Sequence, residues 1–112
     1  MDFDAEDLYI IEVINKDMTI KEVLVEHERE LSMAIVEKIC YAMDNNLKKI
    51  NIARIITDSI AITLHTSLPS FQETLETNLQ NLIKHEEYEM CVIGKKHLDM
   101  LKEKPNRKYL NI

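Results

Sequence analysis

The sequence predicts an α+β domain, and three observations support that prediction. The chain has 112 residues, 46% hydrophobic and 30% charged, a balance typical of a soluble globular protein large enough to bury a core. It holds one glycine and two prolines, so a few long elements are favoured over many short strands. Apolar residues follow the helical period in most of the chain and alternate in one segment, which indicates helices and strands together.

The N-terminal part is predicted to hold a short strand followed by a long helix. Residues 8–14, LYIIEVI, are β-branched and aromatic, as expected of a strand. Thr19 and Glu22 fit a capping box, in which the threonine oxygen accepts a backbone N–H and the glutamate reaches back. Apolar residues at helical spacing run from about Ile20 to Asn45-Asn46, and asparagine suits a left-handed helix end.

Residues 50–66 change to an alternating pattern. Ile50, Ile52 and Ile56 are predicted to share one face of a strand, and the alternation resumes after a turn at 57–59. This pattern predicts an antiparallel β-hairpin. A buried helix over 50–64 is the alternative, because the turn lacks the stronger Asn-Gly signal.

The C-terminal part is predicted to form a helical hairpin. Ser70 and Glu73 fit a second capping box, and the chain is expected to turn near His85-Glu86. The last helix is expected to end at Pro105, since proline cannot continue a helix. We treat residues 1–112 as one domain, with 1–7 and 105–112 as candidate flexible ends.

This hairpin offers the strongest indication of a role. Cys91, Gly94, Leu98 and Leu101 are spaced by three, four and three residues, the spacing of a coiled-coil seam. Glycine inside a helix costs about 1 kcal/mol relative to alanine, so Gly94 on the seam indicates close approach of another backbone. The seam and its neighbours form a predicted surface for a protein partner: Leu79, Leu82, Tyr88, Cys91, Gly94, Leu98 and Leu101.

Residues 79–101 resemble the UVR motif, a short helical hairpin of the excision-repair proteins UvrB and UvrC and of McsA-type proteins. The resemblance rests on Leu82-Ile83, the acidic turn Glu86-Glu87, Tyr88-Glu89 and Cys91-Val92. The family's usual leucine falls on Gly94, and its Arg-Asp pair becomes Lys95-Lys96. The resemblance implies a hairpin that packs against another helical hairpin, often its own copy.

The charge distribution suggests two alternative functions. The net charge is −6, and residues 1–44 hold twelve acidic and four basic side chains. An acidic face made by Glu22, Glu26, Glu28 and Glu30 would suit an acidic inhibitor or a DNA mimic of phage type. A small basic patch at Lys48, Lys49 and Arg54 would suit a nucleic-acid accessory protein, although an acidic chain binds nucleic acid poorly.

The residues needed for catalysis, cofactor binding or metal binding are not found in any familiar pattern. One glycine cannot build a phosphate-binding loop, and there is no His-x-x-x-His or Cys-x-x-Cys pair. His85, Cys91 and His97 are spaced by six, so they diverge around a helix. Lys95 could favour a thiolate at Cys91, but a small seam residue is the better interpretation.

These observations predict a non-catalytic interaction or regulatory accessory protein without a cofactor. A sheet of few strands has open edges, so a homodimer is expected. No apolar run approaches the roughly 18 residues of a membrane span. Two cysteines without motif spacing indicate reduced thiols in the cytoplasm. Abundant isoleucine and a preference for lysine over arginine suggest a phage or low-GC bacterial origin.

Overall fold

The computed structural model describes residues 8–15 and 17–110, with side chains up to residue 103. This part of the chain forms a three-stranded sheet and four helices, which confirms the predicted α+β class. The elements in chain order are β1 (Tyr9–Glu12), α1 (Ile20–Glu26), α2 (Glu28–Asp44), β2 (Lys49–Ile56), β3 (Ala61–Ser67), α3 (Leu68–Lys84) and α4 (Tyr88–Leu110). Residues 50–66 are therefore a β-hairpin and not the alternative helix.

The sheet has the order β1-β2-β3, and its two strand pairs run differently. β1 lies parallel to β2, with Tyr9 opposite Ala53, so α1 and α2 form the crossover between them. β2 and β3 are antiparallel and are joined by a tight turn in which the Thr57 N–H donates to Ile60 O at 2.9 Å. One face of the sheet packs against α1 and α2, and this inner face holds the buried isoleucines of β1 and β2.

A β-bulge in β2 corrects the predicted strand faces. Asn51 is opposite His65 and Ala53 is opposite Leu64, so Ile52 is an extra residue without a partner of its own. A bulge shifts the alternation by one residue. Ile50 and Ile52 are buried as predicted, but Ile55 and not Ile56 continues the buried face.

The long helix predicted from Ile20 to Asn45 is divided at His27. The Thr19–Glu22 capping box is present at its start, as predicted. His27 has φ −102° and ψ 20°, outside helical values, and its ring Nδ1 lies 3.0 Å from the Tyr9 hydroxyl. The break allows α1 to pack on β1 through Val23, while α2 packs on the main core. The helix ends near Asn46, whose φ of 57° is left-handed.

The last two helices begin and end differently from the prediction. α3 starts at Leu68 after an N-cap at Ser67, so Ser70 lies inside the first turn and the predicted second capping box is wrong. Pro69 occupies that first turn, where its missing N–H costs no hydrogen bond. α4 continues through Pro105 to Leu110 instead of ending there. Of the candidate flexible ends, 1–7 and 111–112 lie outside the described residues, and 105–110 is described as helical backbone.

The main core lies between the sheet, α2 and the helical hairpin. Its fully buried side chains include Val36 and Ile39 from α2, Ile50 from β2, and Phe71 and Leu75 from α3. These residues recur every three or four positions in the helices, the spacing that places side chains on one helical face. The hairpin is therefore part of the core and not an appendage to it.

Candidate functional site

The turn between α3 and α4 brings the two halves of the hairpin together. Glu86 has a φ of 60°, the Glu86 N–H donates to Ile83 O at 3.0 Å, and the Glu87 N–H donates to Leu82 O at 2.9 Å. This pair of bonds is a Schellman motif, which closes a helix around one left-handed residue. Only a three-residue connection separates the helices, so they run side by side and share a groove.

Charged residues of α2 hold this turn. The Lys84 ammonium lies 2.7 Å and the His85 Nε2 lies 2.8 Å from Glu28 Oε1. Arg29 donates from Nε to Glu87 Oε1 at 2.7 Å. The hydrogen bond from Lys84, and to a smaller extent the one from His85, holds the pKa of the Glu28 carboxyl below its usual value. The turn is thus fastened to the start of α2 on both sides.

The inner face of α4, formed by Gly94, Leu98 and Leu101, packs within the chain. Leu98 and Leu101 are buried in the main core, as are Leu79 and Leu82 of α3. A Cβ placed on Gly94 would lie 2.5 Å from Leu79 Cδ2 and 2.9 Å from Val36 Cγ1. Gly94 is therefore a packing glycine, as predicted, but the neighbours that need the space belong to α2 and α3 of the same chain.

Further polar contacts, away from the turn, also fix the hairpin on α2. The Ser32 hydroxyl donates to Asn78 Oδ1 at 3.0 Å, and Asn78 Nδ2 donates to Thr74 O at 2.8 Å. His97 is buried with its Nε2 2.9 Å from Asp44 Oδ1. Buried polar groups with hydrogen-bond partners specify one arrangement of packed helices, because a shift would leave them unpaired.

The outer side of the hairpin carries an apolar groove of about 480 Å³. Its most exposed apolar side chains are Val92, 71% exposed, Tyr88, 58% exposed, and Ile83, 55% exposed. We call this surface the hairpin groove, and its lining residues are Leu79, Ile83, Tyr88, Cys91, Val92 and Lys95. Lys95 supplies a charge and pairs with Asp99 at 3.0 Å. Isolated exposed apolar residues are common, but a contiguous set along two helices is typical of a binding surface.

The structure divides the seven residues predicted to bind a partner into two sets. Leu82, Leu98 and Leu101 and the packing position Gly94 belong to the core, whereas Tyr88 and Cys91 line the hairpin groove with the edge of Leu79. The predicted partner surface did not include Ile83, Val92 or Lys95. Ile83 and Val92 are apolar residues that directly follow Leu82 and Cys91 of that predicted surface, which is the signal that could have identified them.

The four glutamates of the predicted acidic face are not equivalent. Glu22 bonds to the Thr19 backbone N–H, which lowers the pKa of its carboxyl, and Glu28 is held by Lys84 and His85. Glu30 Oε1 lies 3.8 Å from the Arg29 guanidinium. Glu26 is exposed near the end of α1. Local pairing thus offsets part of the negative charge that the sequence places on this face.

The two cysteines are free thiols with little tendency to ionise. Burial raises the pKa of the Cys40 thiol to about 11, with the Asp44 carboxylate acting in the same direction. Burial, followed by the nearby Glu87, also raises the pKa of Cys91. The hypothesis that Lys95 favours a Cys91 thiolate is therefore not supported. The Cys91 Sγ instead lies 3.9 Å from Leu79 O, at the floor of the groove.

Among the described residues, no group of three or more His, Cys, Asp or Glu side chains is arranged to hold a metal ion. No helix in the same part of the chain is long and apolar enough to cross a membrane. Comparison with known proteins gives no match, since no family model, curated protein or solved structure is similar to this chain at a significant level. The candidate site therefore rests on its own geometry.

Proposed function

We propose that this protein is a non-catalytic interaction or regulatory accessory protein that binds an amphipathic helix of another protein in the hairpin groove. The observation that carries the proposal is the set of exposed apolar side chains, Ile83, Tyr88 and Val92, along two adjacent helices. An apolar groove between two neighbouring helices suits a third helix that presents apolar residues at every third or fourth position.

The position of the groove supports this proposal. Its floor consists of Leu79 and Cys91, which are fixed by the core and by the short turn at Glu86. A groove that is already formed needs little ordering on binding, which lowers the cost of association. The resemblance of residues 79–101 to the UVR motif is consistent with a helical partner.

The charge and the aromatic ring at the groove favour particular residues on the partner. Lys95 lies at one side of the groove, and its i,i+4 pair with Asp99 is exposed and therefore weak. An acidic residue beside the apolar stripe of the partner would meet this positive charge. The Tyr88 side chain combines a large apolar ring with a hydroxyl, a combination that is frequent where one protein anchors another.

A pair of single substitutions on α4 tests the proposal. Val92→Glu places a charge in the groove at a residue that is already 71% exposed, so the fold should tolerate it. Ile93→Glu is the matched control, because Ile93 is an exposed neighbour on the same helix but does not line the groove. Both variants should keep the circular dichroism spectrum and unfolding midpoint of the wild type.

Affinity capture from the source cell, followed by quantitative mass spectrometry, should enrich the same protein with wild type and with Ile93→Glu. With Val92→Glu the enrichment of that protein should fall about tenfold or more, since a charge buried at an apolar contact costs over 1.4 kcal/mol. The captured protein should then bind as a purified component, with the same order of affinities. Equal binding by all three chains would reject the groove as the binding surface.

A further inference from the structure

The third strand of the sheet, β3, has an open edge that lacks the usual protection. The sheet order places β3 at one side, and no other element among the described residues pairs with its outer edge. Natural proteins blunt such edges with charge, proline, a bulge or a very short strand. The seven residues of β3, AITLHTS, contain no charge and no proline, and the bulge of this hairpin lies on β2.

The opposite edge of the sheet provides the contrast. β1 has four residues, ends at the exposed Glu12, and is followed by a chain that leaves the sheet. A short strand with a charge is a poor template for another strand. The two edges of the sheet therefore differ, and among the described strands only β3 offers a long row of outward backbone N–H and C=O groups without charged side chains.

The hydrogen bonds at both ends of β3 show which backbone groups face the open edge. Ile60 O accepts from the Thr57 N–H at 2.9 Å, and the Leu68 N–H donates to Lys48 O at 2.7 Å. Bonded positions alternate along an antiparallel pair. Even-numbered residues of β3 therefore bond to β2, and the N–H and C=O groups of Ala61, Thr63 and His65 point outwards.

We propose that a second copy of this chain adds its β3 to this edge in antiparallel orientation, with the two-fold axis at Leu64. In that register Thr63 of each copy is opposite His65 of the other, so both are outward-bonding residues and can exchange N–H···O bonds. A shift by one residue would oppose outward groups to inward ones. This inference does not depend on the proposed function, because it uses a different surface.

The side chains support the same register. Leu64 would be opposite its own copy at a non-hydrogen-bonded position, where side chains approach closely, and it is only partly buried in one chain. Ile60, 55% exposed, would come near Leu68 of the copy, which is 39% exposed. No charged residue lies between positions 60 and 68, so no like charges oppose one another. Apolar groups left open in one chain are thus covered in the pair.

The first test uses the backbone. Light scattering with size exclusion should give wild type twice the 13.2 kDa chain mass. Thr63→Pro removes one outward N–H without removing a bond to β2, so the chain should keep its circular dichroism spectrum but elute at the single-chain mass. Thr63→Val retains the N–H and should remain a dimer. A single-chain mass for wild type at hundreds of micromolar, or a folded Thr63→Pro dimer, would overturn the proposal.

The second test uses cross-linking and does not require proline to be tolerated. Leu64→Cys places two thiols opposite each other across the axis, within the Cα separation that a disulfide accepts. Thr63→Cys is the matched control, since its copy lies two residues away along the strand and beyond that separation. Mild oxidation should link Leu64→Cys chains and leave Thr63→Cys at the wild-type background. Equal linking of the two variants would exclude this register.

Discussion

The two sides of α4 both carry apolar residues, but one side is buried in the core and the other is exposed. On the inner face, Leu98 and Leu101 pack against α2 and α3 and complete the core. On the outer side, Tyr88 and Val92 remain more than half exposed along the hairpin groove. The comparison shows that apolar spacing identifies the surfaces a helix will bury, but not whether the chain itself or a partner covers them.

Gly94 gives the largest expected effect on this comparison. Gly94→Leu should lower the free energy of unfolding by about 3 kcal/mol or more, because even a Cβ would lie within 3 Å of Leu79 and Val36. Val92→Leu on the outer side should change it by less than about 0.5 kcal/mol. Urea denaturation monitored by circular dichroism measures both. A Gly94→Leu chain as stable as wild type would mean that the inner face is not a packed contact.

Asn78 tests whether polar contacts fix the inner side of the hairpin. Asn78→Ala removes the acceptor of the Ser32 hydroxyl and should destabilise the fold by about 1–3 kcal/mol. Gln80→Ala on the exposed side of α3 is the control and should be nearly neutral. The same denaturation experiment applies, and equal stabilities for the two variants would contradict the role of the Ser32–Asn78 contact.

Glu86 tests the turn that joins the two sides. A left-handed conformation costs a residue with a side chain about 1 kcal/mol, and glycine avoids this cost. Glu86→Gly should therefore raise the unfolding midpoint, although extra freedom in the unfolded chain reduces the gain. Asn46→Gly, at the equivalent position after α2, should gain less because asparagine tolerates this conformation. Thermal unfolding compares the two gains, and a larger gain at Asn46 would refute this explanation.

Glu28 gives the smallest expected effect, visible in acid. Its carboxyl has a pKa below the usual value because Lys84 and then His85 bond to it. A lowered pKa in the folded state stabilises the protein above the unfolded-state pKa of 4.5, and this stabilisation is lost as the pH falls through the folded value. Glu28→Gln should therefore lose less stability than wild type between pH 5 and pH 3. Measuring the free energy of unfolding of both chains against pH checks this. Identical slopes would mean that the contacts of Glu28 with Lys84 and His85 contribute nothing to stability.

The sequence was sufficient for the features that depend on local chemistry. The Thr19–Glu22 cap, the β-hairpin over 50–66 and the left-handed Asn46 that follows α2 are each determined by a few neighbouring residues. The site was predicted only in part. Tyr88 and Cys91 line the groove, but Leu98 and Leu101 were assigned to a partner surface when tertiary packing uses them in the core.

Some missed features depend on contacts between residues that are distant in the sequence. Others occur at residues whose own conformational preference does not favour them. His27 interrupts a helix whose periodicity is continuous, and its partner Tyr9 belongs to a different element. The bulge at Ile52 changes the phase of β2 without a glycine to mark it. The turn near His85-Glu86 was predicted, but the left-handed conformation of Glu86 was not, because a glutamate side chain disfavours that conformation.

The parallel pairing of β1 with β2 also bears on the order of folding. β2–β3 and α3–α4 are each joined by only a few residues, whereas both crossover helices lie between β1 and its partner β2 in the chain. Closing a long loop costs more entropy than closing a short one, so contacts between distant residues form late. We therefore expect β1 to join a nearly complete domain last, and its backbone amides to exchange with solvent before those of β2.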